Sequence, residues 1–363
     1  MRYLRLCAAL LALMLVVPAV ASAQDKLPQM PQIPFLEIWR ASPHANVGSE
    51  AFIHWDKDGA VPVSCAACHS GPGYLDFLGA DRSTPGKVDK PAPIHAVIDC
   101  VTCHNPKAIN LRSVLFPSGR RAENPDASAR CTVCHQGRQS TPSVNRSVAG
   151  LAVDGVHPKL RFINVHYAVA GATLLGTEVK GAYEYAGKGY HGRFKHTVAF
   201  NTCTECHDPH STRVLVASCS ACHKGAPPRA IRESATDYDG DGDIKEGIAG
   251  EITTLHEALG AAIRRYGRDI AGSAIAYTPD THPYFFVDGN ANGVADKKEI
   301  TRANAYARWT PRLIKATYNY QFIAKDPGAY AHNPLYALQI LYDSLEDLSA
   351  KVPVGLSKMT RPR

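Results

Sequence analysis

The chain has 363 residues, of which 45% are hydrophobic and 20% are charged, and its formal net charge is +7. This length is more than one core usually needs and predicts two domains. The positive charge could indicate a nucleic-acid or acidic-lipid partner, but Lys and Arg are scattered without a basic stripe, which argues against nucleic acid.

The first residues have the pattern of a secretory signal peptide. Arg2 and Arg5 precede an apolar run over residues 6–20, and Ala21-Ser22-Ala23 forms a small-residue cleavage site. The apolar run is too short for a membrane-spanning helix, and no later segment approaches that length. We therefore predict a signal peptide over 1–23 and export to the periplasm, the cell surface or the exterior. A proline-rich extended arm over 24–44 should follow.

Five Cys-x-x-Cys-His motifs follow the arm. Two thiols at this spacing can add to the two vinyl groups of one haem, and the next His then lies under the iron as its proximal ligand. Zinc sites or disulfides would not explain why His follows every pair, and only Cys7 lies outside the motifs. We predict five covalent haems c at motif 1 (Cys65, Cys68, His69), motif 2 (Cys100, Cys103, His104), motif 3 (Cys131, Cys134, His135), motif 4 (Cys203, Cys206, His207) and motif 5 (Cys219, Cys222, His223).

Haem also changes the charge balance. Each ferric haem with two ionised propionates contributes roughly −1, so five haems and the loss of Arg2 and Arg5 bring the total to about zero. Arg138, after motif 3, is then either a partner of a propionate, which we favour, or a contact for an anionic substrate.

The second ligand of most irons should be histidine. After loss of the signal peptide the methionines are Met30 and Met359, both near the chain ends. His95 is a reserve candidate, and His44, His157, His191, His256 and His282 are expected to have other roles. We predict distal ligands at His54, His166, His196, His210 and His332.

Residues 178–185 and 189–194 flank Ala-Gly-Lys and predict a β-hairpin that positions His196. After residue 225 cysteine disappears and helical patterns begin. We predict helices over 251–264, over 304–315 with a bend at Pro311, and from Pro334 with Asn333 as N-cap. The domain boundaries are therefore 45–225 for a pentahaem domain, 226–350 for a helical calcium-binding domain and 351–363 for a disordered tail.

Two loops of the second domain resemble EF-hand loops, which surround calcium with hard oxygen ligands. The first loop departs from the pattern at position 12, Ile248, where Glu246 or Glu251 would have to replace the usual carboxylate. We predict one or two calcium ions, held by Asp288, Asn290, Asn292, Asp296 and Glu299 and, in the first loop, by Asp237, Asp239, Asp241 and Asp243.

The motifs, with the phrases Phe52-Ile-His54-Trp55, Cys203-Thr-Glu-Cys206-His207-Asp-Pro-His210 and Tyr330-Ala-His332-Asn-Pro334, resemble those of bacterial multihaem c-type cytochromes. The chain looks like a group that joins a haem domain to a helical domain with calcium loops. The expected fold is mainly α with much irregular structure, haems as the core and one β-hairpin. The resemblance implies extracytoplasmic electron transfer with other redox proteins, such as cytochromes or quinol-linked and terminal oxidoreductases.

Three functions fit these features. The first is an electron carrier with bis-His haems and no catalytic residues of its own. The second is an oxidoreductase for a small nitrogen or sulfur compound, which requires one iron with an open position. The third is a subunit that self-associates into a filament by haem stacking.

Overall fold

The computed structural model describes residues 32–123, 126–197 and 199–363. The chain divides into two compact units, Met1–Leu36 and Glu37–Arg363. The described part of the first unit contains a turn in which the Leu36 amide donates to the Ile33 carbonyl at 3.4 Å. The predicted signal peptide and residues 24–31 of the predicted arm lie outside the described residues.

Helices predominate in the described residues, as expected, and long irregular segments separate them. No helix of the described residues is long and apolar enough to cross a membrane. The helices of the motif region are short: α1 (Leu36–Arg40), α2 (Glu50–Ile53), α3 (Val63–His69), α4 (Gly71–Leu78), α5 (Cys100–Cys103), α6 (Pro106–Ile109), α7 (Ser128–Thr132), α8 (Thr141–Val148), α9 (Ala170–Leu175), α10 (Cys203–Cys206) and α11 (Val216–His223).

Longer helices follow the motifs, namely α12 (Ile248–Asp269), α13 (Pro311–Ala324) and α15 (Pro334–Ser349), and the four-residue helix α14 (Ala329–His332) lies just before α15. The prediction for α15 is confirmed, since Asn333 caps it by accepting from the Tyr336 amide at 3.1 Å and Pro334 opens it. The prediction of a helix bent at Pro311 is wrong. Pro311 instead begins α13, where its missing N–H costs nothing, and Thr310 accepts from the Leu313 amide at 3.1 Å.

Among the described residues, four strands form two antiparallel hairpins. β1 (Ser113–Leu115) pairs with β2 (Arg121–Glu123), and β3 (Ile275–Tyr277) pairs with β4 (Phe285–Val287). Val114 faces Ala122 in the first hairpin, and Ala276 faces Phe286 in the second.

The hairpin predicted over 178–194 is not formed, and that segment contains no strand among its described residues. Its backbone bonds to a helix side chain instead. The Tyr183 amide donates to Asn319 Oδ1 at 2.7 Å, and Asn319 Nδ2 donates to the Tyr183 carbonyl at 2.9 Å. Lys180 also has a positive φ of 53°, which interrupts an extended strand.

One apolar cluster includes buried residues on both sides of the boundary predicted near residue 226. It joins Val165 and Leu175 to Leu255, Trp309 and Leu345, all of which are almost completely buried. The buried stripe of α12 contains the predicted Ile252, Leu255, Leu259 and Ile263.

Residues 351–363 differ from the predicted disordered tail, because they are packed against the helices. The Arg361 guanidinium forms two hydrogen bonds with the buried Asp343 carboxylate, at 2.8 and 2.9 Å. The Thr360 amide donates to the Tyr238 carbonyl at 3.0 Å. A bidentate pair with a buried carboxylate fixes this basic segment in place.

Candidate cofactor and metal sites

Each motif lies on or beside a short helix, so its two cysteines, three positions apart, face the same side. Local capping begins two of these helices. Asp99 Oδ1 accepts from the Thr102 amide at 3.0 Å before motif 2, and Glu205 Oε2 accepts from the Thr202 amide at 2.8 Å in motif 4. All ten motif cysteines are free of disulfides and available for covalent attachment.

Each motif histidine faces the ring of one histidine from outside the motifs. Two imidazoles bound to opposite sides of one metal ion, each at about 2 Å, would have ring centroids roughly 6 Å apart. The observed spacings fit this requirement. The centroid distances are 5.8 Å for His69–His166, 6.2 Å for His104–His210, 6.4 Å for His135–His44, 6.3 Å for His207–His332 and 5.9 Å for His223–His196.

Several of these rings are held in the neutral form that binds metal. Burial lowers the pKa of His135 and of His166 to about 4 in each case, and neighbouring cationic groups add to the effect. Burial also lowers the pKa of His44 and His207. A neutral imidazole keeps a nitrogen lone pair free for iron.

Backbone and carboxylate oxygens orient three of the rings through Nδ1. His69 Nδ1 donates to the Ala51 carbonyl at 2.9 Å, and His207 Nδ1 donates to the Thr212 carbonyl at 3.4 Å. His332 Nδ1 lies 2.8 and 3.0 Å from the two oxygens of Asp326. With Nδ1 engaged, Nε2 is left as the nitrogen that can bind a metal.

His332 differs from the others because its partner is a buried charge. Burial by itself would lower the pKa of His332, but the Asp326 carboxylate outweighs it and the pKa is raised. Burial by itself would raise the pKa of Asp326, but its interactions with His332, Thr173 and the Gly328 amide together outweigh burial, and the pKa is lowered. This pair places a negative charge directly behind the ring that faces motif 4.

The structure brings together four of the five histidines predicted as distal ligands, but it places His54 elsewhere. His54 Nδ1 lies 2.7 Å from Glu50 Oε1, and its ring packs on Trp55 at 4.8 Å. His44 occupies the position facing motif 3 instead. Sequence reasoning missed His44 because its partner, His135, lies far along the chain and no local spacing connects the two.

The motifs also contact one another. The thiols of motifs 1 and 3 approach the neighbouring backbone: Cys68 Sγ lies 3.8 Å from the Val133 carbonyl, and Cys134 Sγ lies 3.6 Å from the Ala67 carbonyl. The Cys131 thiol of motif 3 lies beside the Cys203 thiol of motif 4.

Motif 2 contacts the chain beside motif 3, and motif 5 contacts motif 4. Arg130, next to motif 3, donates to the Cys103 carbonyl of motif 2 at 3.2 Å. The Leu215 amide, before motif 5, donates to the Cys206 carbonyl of motif 4 at 2.8 Å. Motif 3 is therefore in contact with motifs 1, 2 and 4, and motif 5 follows motif 4.

A cavity of about 710 Å³ adjoins the His69–His166 pair and is lined by Arg138, Lys159, Arg161, Phe162 and His166 among others. Arg138 Nη2 donates to the Ser64 carbonyl at 3.3 Å, which holds the guanidinium beside motif 1. Apolar and basic groups together suit a haem with ionised propionates.

The loop over 288–299 is closed by backbone bonds to its first and last carboxylates. Asp288 accepts from the Asn292 and Gly293 amides at 3.2 and 2.7 Å. Glu299 accepts from the Gly289 and Asp296 amides at 2.8 and 3.1 Å. Gly293 has a φ of 83°, as the sharp turn at position 6 requires. Carboxylate and amide oxygens such as those of this loop are the ligands that calcium prefers in proteins.

The loop that begins at Asp237 gathers carboxylates from beyond its predicted span. The carboxylate oxygens of Asp237, Asp239 and Glu251, and those of Asp239, Asp241 and Glu246, lie within 4.8 Å of one another in two groups. Asp243 belongs to neither group, and it accepts instead from the Lys245 amide at 2.8 Å.

The chain is similar to two polyheme cytochromes of Geobacter sulfurreducens. It is 27% identical to the C-type polyheme cytochrome OmcB over 367 residues, which cover 82% of this chain and 45% of the relative. It is also 27% identical to OmcC over 357 residues, which cover 81% of this chain and 43% of the relative. The chain thus spans about half the length of these relatives, and no protein-family model and no solved structure matches it. Both relatives are named as C-type polyheme cytochromes, and this chain contains five Cys-x-x-Cys-His motifs of its own.

Proposed function

We propose that the chain is an exported cytochrome that carries five haems c and relays single electrons between extracytoplasmic redox partners. The observation that carries this proposal is the set of five histidine pairs, in which every motif histidine faces a second ring at 5.8–6.4 Å. Haem supplies the one-electron redox chemistry, and the chain supplies ligands, burial and neighbouring charge.

The proposed coordination is bis-His at all five irons. The proximal ligands are the five motif histidines. Four of the distal ligands are those expected from the sequence, and His44 takes the place of His54. The proposed distal ligands are His166 for motif 1, His210 for motif 2, His44 for motif 3, His332 for motif 4 and His196 for motif 5.

The contacts between motifs support a route for electrons that differs from the order in the sequence. Motif 3 lies at the junction of motifs 1, 2 and 4, and motif 5 is reached through motif 4. Haems held by neighbouring cysteines would lie close to one another, and electrons could then pass among them within the protein. We propose that electrons enter or leave at the haems of motifs 1, 2 and 5.

The alternative of an enzyme requires an iron with one open position. Each motif histidine has a facing ring, so the geometry favours a relay. Arg138, the candidate for contacting an anionic substrate, lies beside Cys65 and lines the cavity next to His166. We assign this arginine to a propionate of the haem at motif 1.

Export and partners are part of the same proposal. The basic residues, apolar run and cleavage site over 1–23 support export, and covalent haem attachment takes place outside the cytoplasm. The partners would be other redox proteins, in the periplasm or at the cell surface. With five haems the net charge of the protein would be close to zero, so it would lack the excess positive charge that nucleic-acid binding requires.

We also propose that the loop over 288–299 binds calcium. Its ligands would be Asp288, Asn290, Asn292, Asp296 and Glu299, whose oxygen donors surround one turn. The ion would fix the segment between β4 and α13 and would have no part in electron transfer.

The proposal is tested by haem quantification and by an EPR spectrum of the oxidised holoprotein. A pyridine haemochrome assay should give five haems per chain, and the spectrum should contain low-spin signals alone. A high-spin component near one haem per chain would favour the enzyme and would overturn bis-His coordination at all five irons.

A further inference from the structure

The loop from Asp237 to Glu251 is held in a ring-like conformation by its own carboxylates. Asp237 accepts from the Gly240 and Gly242 amides at 2.6 and 2.9 Å, and Asp239 Oδ1 accepts from the Asp241 amide at 3.1 Å. The carboxylate oxygens of this loop, with those of Glu246 and Glu251, form the two groups described above.

Three carboxylate oxygens at this centre accept no hydrogen bond among the described residues: Asp239 Oδ2, Glu246 Oε1 and Glu251 Oε1, the last of which is ion-paired with Arg232. Asp239 is only 5% exposed. A buried carboxylate oxygen without a donor is costly, and an isolated negative charge is more so. A positive charge at the centre of these carboxylates would stabilise them.

The nearby buried cation is already engaged elsewhere. Arg232 Nη2 lies 2.6 Å from Glu251 Oε1, and the same guanidinium donates to the Ser234 carbonyl at 2.6 Å. It neutralises Glu251 but leaves Asp239 and Glu246 without a counter-charge. A divalent ion would supply that charge.

Glu251 accepts backbone hydrogen bonds from the start of its loop, as Glu299 does in the loop over 288–299. Glu299, at position 12, accepts from the Gly289 amide at position 2. Glu251, on the first turn of α12, accepts from the Tyr238 and Asp239 amides, at positions 2 and 3, at 2.9 and 2.8 Å. A helix residue beyond the loop thus replaces the carboxylate that Ile248 cannot supply.

We propose that this centre binds one calcium ion through carboxylates that a regular loop pattern does not contain. Oxygen ligands without sulfur or nitrogen select a hard cation, and a flexible, highly charged set suits calcium better than the octahedral magnesium ion. The proposal is independent of the haems. The ligands are Asp237, Asp239, Asp241, Glu246 and Glu251.

The ion would join the segment after motif 5 to the helical core. The Ile248 amide, at the start of α12, donates to the Ile231 carbonyl at 3.1 Å, and Arg232 bonds Glu251. The ion therefore holds the segment that leads from motif 5 to the N-terminus of α12.

Isothermal titration calorimetry with CaCl₂ on the EGTA-treated holoprotein tests the site. The variants Asp239→Asn and Glu246→Gln should weaken one binding event by about tenfold or more, because each removes a charged ligand. Glu257→Gln makes the same chemical change at an exposed position of α12 and should bind like the unchanged protein. The variant Asp296→Asn removes a proposed ligand of the loop over 288–299 and so identifies the calorimetric signal that belongs to that loop.

The variant Gly250→Ala keeps every carboxylate, so a loss of calcium binding in this variant cannot be attributed to misfolding. A Cβ at this position would lie 1.7 Å from Glu246 Oε2, so the carboxylate must move. Alanine also favours the helix, so the fold should be at least as stable. We expect weaker calcium binding with an unchanged number of haems.

Unchanged calcium affinity in Asp239→Asn, Glu246→Gln and Gly250→Ala would overturn the proposal, as would a holoprotein that binds no calcium. Haem content and spin state are read separately, so either result leaves the electron-transfer proposal intact.

Discussion

His44 and His54 precede the first motif on the same stretch of chain, but their surroundings differ. The His44 ring faces His135, whereas the His54 ring packs on Trp55 and its Nδ1 lies beside Glu50. We predict that His44→Ala converts about one haem per chain from low spin to high spin, because one iron loses its sixth ligand. His54→Ala is the matched control and should leave the EPR spectrum unchanged. The reverse pattern would restore His54 as the distal ligand.

Asp326 is expected to set the potential of the haem at motif 4. Its buried carboxylate makes His332 a stronger electron donor through Nδ1. We predict that Asp326→Asn raises the midpoint potential of one haem, since the neutral amide no longer stabilises the ferric state. Potentiometric titration of the holoprotein would measure this change. Asp343→Asn removes a buried carboxylate that pairs with Arg361 instead and should move no potential. Five unchanged midpoints in Asp326→Asn would refute the assignment.

His256 has a structural role that depends on pH. Its Nε2 donates to the Tyr320 carbonyl at 2.8 Å, its ring stacks on Tyr320, and burial lowers its pKa. The unfolded chain therefore binds a proton more readily, and the stabilisation is lost as the pH falls below the unfolded value of about 6.5 toward the lower folded value. We predict a flatter dependence of the unfolding free energy on pH in His256→Gln, measured by denaturant titration across this range. An equal slope of unfolding free energy against pH in His256→Gln and in the unchanged protein would contradict this prediction.

At the scale of the elements, Asn333 joins α15 to the segment before motif 4. Its Oδ1 accepts from the Tyr336 amide, and its Nδ2 donates to the Gly192 carbonyl at 2.8 Å. Because the residue is fully buried, we predict that Asn333→Ala costs about 1–3 kcal/mol of unfolding free energy.

Asn105, the cap of α6, gives the comparison for that change. It accepts from the Lys107 and Ala108 amides and is itself only half-buried, with Lys107 exposed. Asn105→Ala should cost about 1 kcal/mol or less by chemical denaturation, because water can replace the lost bonds. Equal losses in the two variants would show that burial of Asn333 adds nothing.

Elements with local signals were predictable, and those without were not. Asn333 followed by Pro334 is a complete start signal, and α15 begins there. The segment over 178–194 has strand-like residues around a turn signal, but its backbone partner is Asn319 on α13. A hydrogen bond to a distant helix leaves no pattern in the segment itself, so local reasoning predicted the wrong partner.

For the whole molecule, the apolar cluster shared by both halves predicts cooperative unfolding. Val165 and Leu175 belong to the same buried cluster as Trp309 and Leu345. Differential scanning calorimetry of the holoprotein should therefore show one main transition for residues 37–363, because neither half can lose its core alone. Two separate transitions would support independent domains divided near residue 226.

The sequence by itself carries the signal for covalent haem attachment. Two cysteines and a histidine at fixed local spacing are all that covalent attachment needs. Cys203, Cys206 and His207 can therefore be proposed as a haem site before the tertiary structure is known. It also contained the calcium-loop pattern that starts at Asp288, since the proposed ligands all lie within residues 288–299.

Only the tertiary structure decided which distant groups meet. His44 faces His135, and Glu251 reaches the loop at Asp237 from a helix, because packing of separate elements brings them together. The order of contacts among the motifs likewise follows from packing. Ligands on opposite sides of one site need only be close in space, and their separation along the chain carries no such information.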